Sequence, residues 1–326
     1  MKISDNQLAD FASPIGKTEE EKCKNALRMV RDALKQIGYA DNGKIEETIQ
    51  ADTFAYTLKM STVNKKEITI LVQGSYANKT NIPSQSDVDV AVILESTFIG
   101  EYGVFSASDF GFSTSDYDVF NLKDDIFLAL QHKFGSQNVK RGDKALKVRG
   151  NTYRVDADVV PTYRYRDYSS FKKIKNDYSK KVDNYFGGIV ICPDSGGRII
   201  NFPEQHIENG IIKNKSTEYN FKKCVRISKN IRELMDTHRV FDAKRVSSFG
   251  IESLIWNLKN SCFTEYPSVL WYVFDKVVNE LYCNTSSFIT YYEVNGIKRL
   301  CPDEDTVKAY SDFAKALKDF YEHEAT

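Results

Sequence analysis

The apolar positions of this chain follow a helical period in some segments and form short, strand-like runs in others. Apolar residues three and four positions apart predict helices over residues 18–37, 45–60, 117–133, 217–236, 247–260, 268–282 and 303–322. Apolar runs bounded by turn residues predict strands at 67–72, 88–94, 145–150 and 153–160, and on both sides of a turn in 186–203. Residues 96–116, rich in Gly, Ser and aromatic side chains, are predicted to form a loop. The pattern therefore predicts an α+β first half and a helical second half, with a border near residues 205–216.

Two aspartates enter one of these apolar runs, in the stretch "LVQGSYANKTNIPSQSDVDVAVIL" from Leu71 to Leu94. Residues i and i+2 of a strand share a face, so Asp87 and Asp89 project together while the valines beside them face the core. Two adjacent carboxylates repel each other unless a cation lies between them, and Mg²⁺ prefers oxygen ligands. The pair therefore predicts a metal site; acids that merely end a strand at the surface are the alternative.

A second acidic pair lies in "YRVDADVVP", where Asp156 and Asp158 share one face of another predicted strand. Three carboxylates from adjacent strands would form a two-metal site, which stabilises both the attacking and the leaving oxygen of a phosphoryl displacement. By position alone, either member of this pair is a candidate for the third carboxylate.

A glycine and a serine precede the first acidic pair and predict a phosphate site. Gly74 can adopt backbone angles that other residues avoid, and its missing side chain lets a phosphate approach the chain. Ser75 offers a hydroxyl and a backbone N–H as donors, and a helix opening at residues 75–80 would add a favourable field for an anion. The unit from Gly74 to Asp89 thus predicts a nucleoside triphosphate held by its phosphates, with metals at the α-phosphate.

The motifs "GSYANKT", "SDVDVAV" and "VDADVVP" resemble the signature of the polymerase-beta-like nucleotidyltransferases, and more specifically that of the bacterial cyclic-oligonucleotide synthases, the CD-NTases. These enzymes are relatives of oligoadenylate synthase and cyclic GMP-AMP synthase. Two later stretches, "KKCVRISKNIREL" and "VSSFGIESLIW", are similar to the family's spine helix and to the helix that follows it. The motifs occur in the family's order.

The resemblance implies a fold and a set of site residues. The fold is a polymerase-beta-like core of mixed sheet and helices with an N-terminal helix (residues 1–210) and a helical lobe (residues 211–326), with the active site in the cleft between them. The implied catalytic and metal-binding carboxylates are Asp87, Asp89 and Asp158, where the "DVVP" context favours Asp158 over Asp156. They would hold two Mg²⁺ ions, for which Mn²⁺ can substitute. The implied nucleotide-binding residues are Gly74, Ser75, Arg226, Lys229 and Ser248. Without the resemblance, Lys229 would be taken for a solvated lysine on an amphipathic helix.

Composition and charge argue against several classes of protein. The chain has 326 residues and 45 Lys and Arg against 45 Asp and Glu, which argues against a generally basic nucleic-acid-binding protein. It has no apolar run of membrane-spanning length and no signal-peptide pattern. Its six cysteines are scattered, which favours reduced thiols in a cytoplasmic protein. The four histidines lie far apart, so the DNA-binding zinc insertion of cyclic GMP-AMP synthase is not expected. Each is expected at the surface or in packing, although His206 lies in a segment that faces the acceptor in the family.

The expected activity is the synthesis of a cyclic di- or trinucleotide second messenger from NTPs by a monomer. The resemblance implies bacterial anti-phage (CBASS) signalling, with a separate nucleotide-activated effector protein as partner. Tyrosines of residues 162–168 are candidates for stacking on an acceptor base, and the basic run 172–181 either flanks nucleotides or forms a solvated face. Two alternatives stay open: a linear oligonucleotide synthase or RNA-tailing nucleotidyltransferase, and an inactive nucleotide-sensing module.

Overall fold

The computed structural model describes residues 1–43, 46–47, 53–84, 87–114, 121–169 and 185–324. The helices are α1 (Asp5–Ala12), α2 (Lys17–Lys35), α3 (Gly74–Ala77), α4 (Asn121–Phe134), α5 (Pro203–Ser216), α6 (Asn220–Thr237), α7 (Ser248–Trp256), α8 (Ser261–Thr264), α9 (Leu270–Cys283) and α10 (Glu304–Phe320). The strands are β1 (Lys2–Ser4), β2 (Ala40–Asp41), β3 (Glu46–Glu47), β4 (Tyr56–Ser61), β5 (Glu67–Gln73), β6 (Val88–Glu101), β7 (Val139–Arg141), β8 (Leu146–Val148), β9 (Ala157–Asp167), β10 (Phe186–Ile191), β11 (Ile199–Asn201) and β12 (Glu322–Glu324). Within these ranges, none of the helices combines the length and hydropathy that a bilayer crossing requires.

One mixed sheet contains ten of the described strands and carries the acidic residues. Its order is β11-β10-β9-β6-β5-β4-β2, with β3 beside β4 and with β7 and β8 attached to β9. β6 and β9 pair in parallel, whereas β5 and β10 run antiparallel to them. The run Val90–Leu94 in β6 is buried throughout, as expected for a central strand that is covered on both faces. Asp87 and Asp89 therefore lie at the beginning of a central strand.

Two apolar cores lie on either side of the site. The first fills the space between the sheet and helices α2 and α4, and the second is formed by α6, α7, α9 and α10. Ile3, Leu8 and Ala12 belong to the second core, and β1 pairs in parallel with β12. The beginning of the chain thus packs on the helical lobe, while α2 packs on the sheet.

Local sequence signals fix the starts of the helices that border the site. The Ser247 hydroxyl accepts a hydrogen bond from the Gly250 N–H at 2.9 Å and begins α7 immediately before Ser248. Pro203 occupies the first turn of α5, where a missing N–H costs no helical hydrogen bond. These two starts place the first turns of α5 and α7 at the end of the sheet.

The structure confirms most of the predicted elements and corrects two. The helices of the second half, the strands at 67–72 and 88–94 and the antiparallel pairing within 145–160 are present. The helix predicted over residues 45–60 is wrong, because β4 occupies its end and pairs with β5; alternate β4 residues are buried, a period of two. The predicted loop at 96–116 is wrong at its start, since β6 continues to Glu101 alongside β9.

The segment between the two halves is also helical. The border region near residues 205–216 is occupied by α5, which the sequence pattern does not predict. The basic run 172–181 lies outside the described residues.

Candidate active site

A tight turn at the end of β5 brings the backbone against the acidic strand. Gly74 has a φ of +70°, a conformation that L side chains rarely adopt. A Cβ at this position would lie 2.6 Å from Oδ2 of Asp89, closer than Cβ atoms pack. Glycine is therefore required here by the carboxylate as well as by the backbone. Ser75 follows in α3, which is a single turn rather than a helix over residues 75–80.

Two carboxylates face each other across the parallel pairing of β6 and β9. Asp89 is the register partner of Asp158, and both are partly buried. Burial, and then the charges of Asp158 and Asp87, raise the pKa of Asp89 to about 7. Burial also raises the pKa of Asp158, with Lys147 acting in the opposite direction. Among the described residues, the carboxylates of Asp89 and Asp158 therefore lack the nearby positive charge that would offset their burial and mutual repulsion.

The other two aspartates of these strands have different surroundings. Asp87 is exposed, and its Oδ2 lies 2.7 Å from the ammonium of Lys147, a residue of β8 that is paired in register with Asp158. The side chain of Asp156 accepts a hydrogen bond from the Gly150 N–H at 2.5 Å and so holds the turn between β8 and β9. Asp158, rather than Asp156, is the carboxylate that faces Asp89.

The donor set at this end of the sheet fits a divalent metal. Carboxylate oxygens are the ligands that Mg²⁺ prefers. The pKa of Asp89 is raised because its negative charge is unfavourable in these surroundings, and a bound cation would compensate that charge. Across the described residues, no three acidic, histidine or cysteine side chains converge into a complete metal site. The arrangement suits a metal that takes its remaining ligands from water and from substrate phosphates, as Mg²⁺ does.

A cavity of about 570 Å³ opens beside these carboxylates, between the sheet and the first turns of α5 and α7. The structure brings five of the predicted site residues to its wall: Gly74, Ser75, Asp89, Asp158 and Ser248. Ser248 is held there by Arg232, whose guanidinium donates to the serine hydroxyl at 3.0 Å. The cavity therefore joins the predicted phosphate turn to two of the predicted metal carboxylates.

Two predicted triphosphate contacts are absent from the described residues that line this cavity. Lys229 is 1% exposed, and its ammonium donates to the Thr80 carbonyl at 2.9 Å. Arg226, also buried, donates to the carbonyl of Lys79. Both cations hold the backbone that follows α3, and their contact with a triphosphate stays a prediction.

Glu252 is a buried charged residue of the cavity to which the sequence analysis gives no role. Glu252 is 1% exposed, and its Oε2 accepts a hydrogen bond from the Thr80 hydroxyl at 2.6 Å. Its Oε1 lies 3.0 Å from Nε2 of His206, and Oε2 lies 3.7 Å from Nζ of Lys229. The signal was a single acid within the apolar helix sequence "GIESLIW", since glutamate is rarely buried without partners.

The partners of Glu252 keep it charged. Burial alone would raise its pKa, but His206, Lys229 and the Thr80 hydroxyl lower it to about 2. Burial lowers the pKa of Lys229 to about 8, against the opposing effect of Glu252. Burial and the ion pair therefore act in opposite directions on the pKa of each group.

The aromatic side chains at the cavity are not the predicted ones. Tyr163, Tyr165 and Tyr168 are buried in apolar clusters, so the prediction that residues 162–168 stack on an acceptor base is wrong. Phe202 and Phe249 lie on the cavity wall instead, at the starts of α5 and α7. Phe249 is 37% exposed and offers a stacking surface, whereas Phe202 is as buried as Tyr165 and packs against it.

A larger cavity, of about 710 Å³, lies farther along the sheet, away from these carboxylates. Its cation Arg164 already pairs with Glu95 at 2.5 Å and with Glu204 at 3.2 Å. Among the described residues that line it, none belongs to the predicted site. The smaller cavity is therefore the candidate active site.

The C-terminal part of the chain matches a protein-family model. Residues 208–322 match the cGAS/DncV-like nucleotidyltransferase C-terminal helical domain. The matched range contains α6 and α7, the helices that carry Lys229, Ser248 and Glu252.

Curated relatives extend this similarity over almost the whole chain. The cyclic GMP-AMP synthase CdnE03 of Staphylococcus schleiferi is 38% identical over 325 residues, which cover 99% of this chain and 98% of that protein. The cyclic dipyrimidine nucleotide synthase CdnE of Legionella pneumophila is 34% identical over 295 residues, covering 89% and 88% of the two chains. Among solved structures, the CdnE c-UMP-AMP synthase of Rhodothermus marinus with Apcpp and Upnpp has a TM-score of 0.75 at 25% identity and covers 99% of each chain.

Proposed function

Because this chain belongs to the cGAS/DncV-like nucleotidyltransferases, the CD-NTases, we propose that it joins two NTPs into a cyclic dinucleotide. It is a nucleotidyltransferase. The observation that carries the proposal is the cavity wall, where the turn at Gly74 and Ser75 meets the carboxylates of Asp89 and Asp158. The full-length similarity to synthases of cyclic dinucleotides supports a product of two nucleotides.

We assign the metal to three carboxylates, Asp87, Asp89 and Asp158. Mg²⁺ bound there would polarise the α-phosphate and compensate the charge of the leaving pyrophosphate. In the reaction, the acceptor hydroxyl oxygen bonds to the α-phosphorus of the donor, and the bond to pyrophosphate breaks. Asp158 would take the hydroxyl proton, and its position opposite Asp89 on the cavity wall supports this role.

We assign the donor triphosphate to two hydroxyls on different elements. Ser75 would donate from the turn after β5, and Ser248 from the first turn of α7. Charge-assisted hydrogen bonds to phosphate oxygens are stronger than neutral ones, so the two serines would fix the α-phosphate in front of the acceptor.

Ring closure requires the same step twice. The linear intermediate must turn so that its own triphosphate becomes the donor, which needs a closed cavity rather than a groove that follows a strand. Phe249 at the cavity wall would hold the acceptor base by stacking, an interaction that tolerates different bases.

We also propose a partner, a cellular location and an oligomeric state for the enzyme. A cyclic dinucleotide acts only through a receptor, so the partner is a separate nucleotide-activated effector protein, and the family resemblance indicates anti-phage (CBASS) signalling. We propose that the enzyme works as a cytoplasmic monomer. Its six cysteines are free thiols, as expected in a reducing compartment that also supplies NTPs.

The product tests the proposal. Purified protein incubated with labelled NTPs and Mg²⁺ is expected to give a main product that phosphatase leaves unchanged, because a ring has no terminal phosphate. Its mass should equal two nucleoside monophosphates less two waters. Omitting one NTP at a time identifies the bases.

Other products would assign other functions. A ladder of lengthening, phosphatase-sensitive oligomers would make the enzyme a linear synthase. A ring of three nucleotides would correct only the product size. NTP binding without any transfer, at all metal concentrations, would make the protein a nucleotide-sensing module.

A further inference from the structure

We propose that Glu252 and Thr80 are positioning residues that hold the Gly74–Ser75 turn against α7 on the donor side of the cavity. The inference rests on the proposed function, because it concerns how the donor triphosphate is placed. Neither residue needs to touch the substrate for this role.

Four separate elements meet at the carboxylate of Glu252. It lies on α7 and accepts the hydroxyl of Thr80 at 2.6 Å from the turn after α3. His206 on α5 lies 3.0 Å from it, and Lys229 on α6 lies 3.7 Å from it. Because Glu252 is buried, these contacts are made in a low dielectric, where charge-assisted hydrogen bonds are strong.

The hydrogen bond to Thr80 reaches Ser75 through the backbone. The Thr80 N–H donates to the Ser75 carbonyl at 2.9 Å, and the Thr80 carbonyl accepts from Lys229 at 2.9 Å. Asn78 adds a second connection, since its side-chain amide lies 2.8 Å from Nε2 of His206 and its N–H donates to the Gly74 carbonyl at 3.2 Å. The turn is thus attached to α7 and α6 through Thr80, and to α5 through Asn78.

The connection that begins at the Gly74–Ser75 turn ends at Ser248 on α7. Ser248 and Glu252 are four positions apart on α7 and therefore share a helix face. Both line the cavity, as does Ser75. The carboxylate therefore fixes the distance between the two hydroxyls that would hold the donor triphosphate from opposite elements.

A purely structural role would not need this chemistry. A well-packed apolar group usually stabilises a buried position at least as well as an ion pair does. A buried carboxylate with partners from three other elements instead specifies one relative placement of those elements. Misplacement of reacting groups by about 1 Å can lower a rate a hundredfold.

The decisive experiment compares three threonine variants in the full chain. Thr80→Val removes the hydrogen bond to Glu252, and Thr80→Ser restores the hydroxyl. Thr217→Val is the matched control, since Thr217 is fully buried and its hydroxyl donates to the Lys213 carbonyl at 2.8 Å within the helical lobe. The melting temperatures of all three variants show how much stability is lost with a buried hydrogen bond.

Thr80→Val is expected to lower kcat at least about tenfold, because the α-phosphate is misaligned, while Thr80→Ser and Thr217→Val stay within about threefold of wild type. The affinity for a non-hydrolysable NTP with Mg²⁺, measured by calorimetry, should change less than kcat. Amide hydrogen exchange in residues 74–80 should be faster in Thr80→Val than in Thr217→Val.

Two results would overturn the inference. One is a kcat of Thr80→Val within twofold of wild type. The other is a loss of kcat in Thr217→Val as large as that in Thr80→Val. That result would show that the loss of activity follows from lower protein stability. Both are judged on whatever nucleotidyl transfer the wild type performs, so a linear product would refute the proposed product without affecting this comparison. The exchange measurement needs no activity at all.

Discussion

Asp89→Asn is expected to lower nucleotidyl transfer by at least about a thousandfold, since metal stabilisation of the phosphoryl transition state amounts to several kcal/mol. The amide keeps the shape of the carboxylate but removes one of two like charges that face each other across β6 and β9. In EDTA, the variant should therefore melt at a higher temperature than wild type. Assays at saturating NTP and Mg²⁺, together with thermal melts in EDTA, measure the two effects.

Metal binding provides a separate measure of the same residue. Mg²⁺ or Mn²⁺ should raise the melting temperature of wild type, because it binds the assembled carboxylates and not the unfolded chain, and should raise that of Asp89→Asn less. Asp87→Asn should lose activity similarly. Asp124→Asn is the control, because Asp124 is an exposed acid paired with Arg141 and should change activity by less than about twofold. Turnover by Asp89→Asn at the wild-type rate with Mg²⁺ would remove the metal role.

Gly74→Ala is expected to lower the transfer rate about a hundredfold, the second largest effect. A methyl group at Gly74 would lie 2.6 Å from Oδ2 of Asp89, so either the turn or the carboxylate must move. Because Ser75 follows directly, the same shift would displace the predicted phosphate donor. Single-turnover rates and melting temperatures of the variant measure how far the site and the fold are affected.

Gly111→Ala tests the effect of backbone strain without a contact between the added methyl group and a carboxylate. Gly111 has a φ of +77°, close to the +70° of Gly74, but a Cβ there would meet nothing within 4 Å. Both variants carry the left-handed backbone penalty of about 1–2 kcal/mol, yet only Gly74→Ala should lose activity. Equal activity of the two variants would show that the contact between Gly74 and Asp89 is unimportant.

The central strand and its acids could be predicted because their signal is local. A continuous apolar run preceded by two acids with a period of two fixes both the strand and the common face of Asp87 and Asp89. The pairing of Asp89 with Asp158 depends on the register of two distant strands, and the sequence pattern does not contain it. The family resemblance supplied Asp158, and the structure placed it opposite Asp89.

The positions of the buried cations could not be predicted for a different reason. The spacing of apolar residues identifies α6 and its buried face, but it does not say which neighbour a buried ammonium meets. Lys229 meets the Thr80 carbonyl and Glu252, a contact between three elements. The period of apolar residues contains none of those distances, so the contacts of Glu252 with its partners could not be predicted from sequence.

The parallel pairing of β6 with β9 also governs when the enzyme becomes active during its own synthesis. Parallel strands need a long crossover, and closing that loop loses chain entropy before the strands gain contacts. Asp89 therefore meets Asp158 only after the segment between them has left the ribosome. Ser248, on the opposite wall of the cavity, is translated later still. A chain that has not yet reached Ser248 therefore lacks part of the cavity wall and of the proposed donor site.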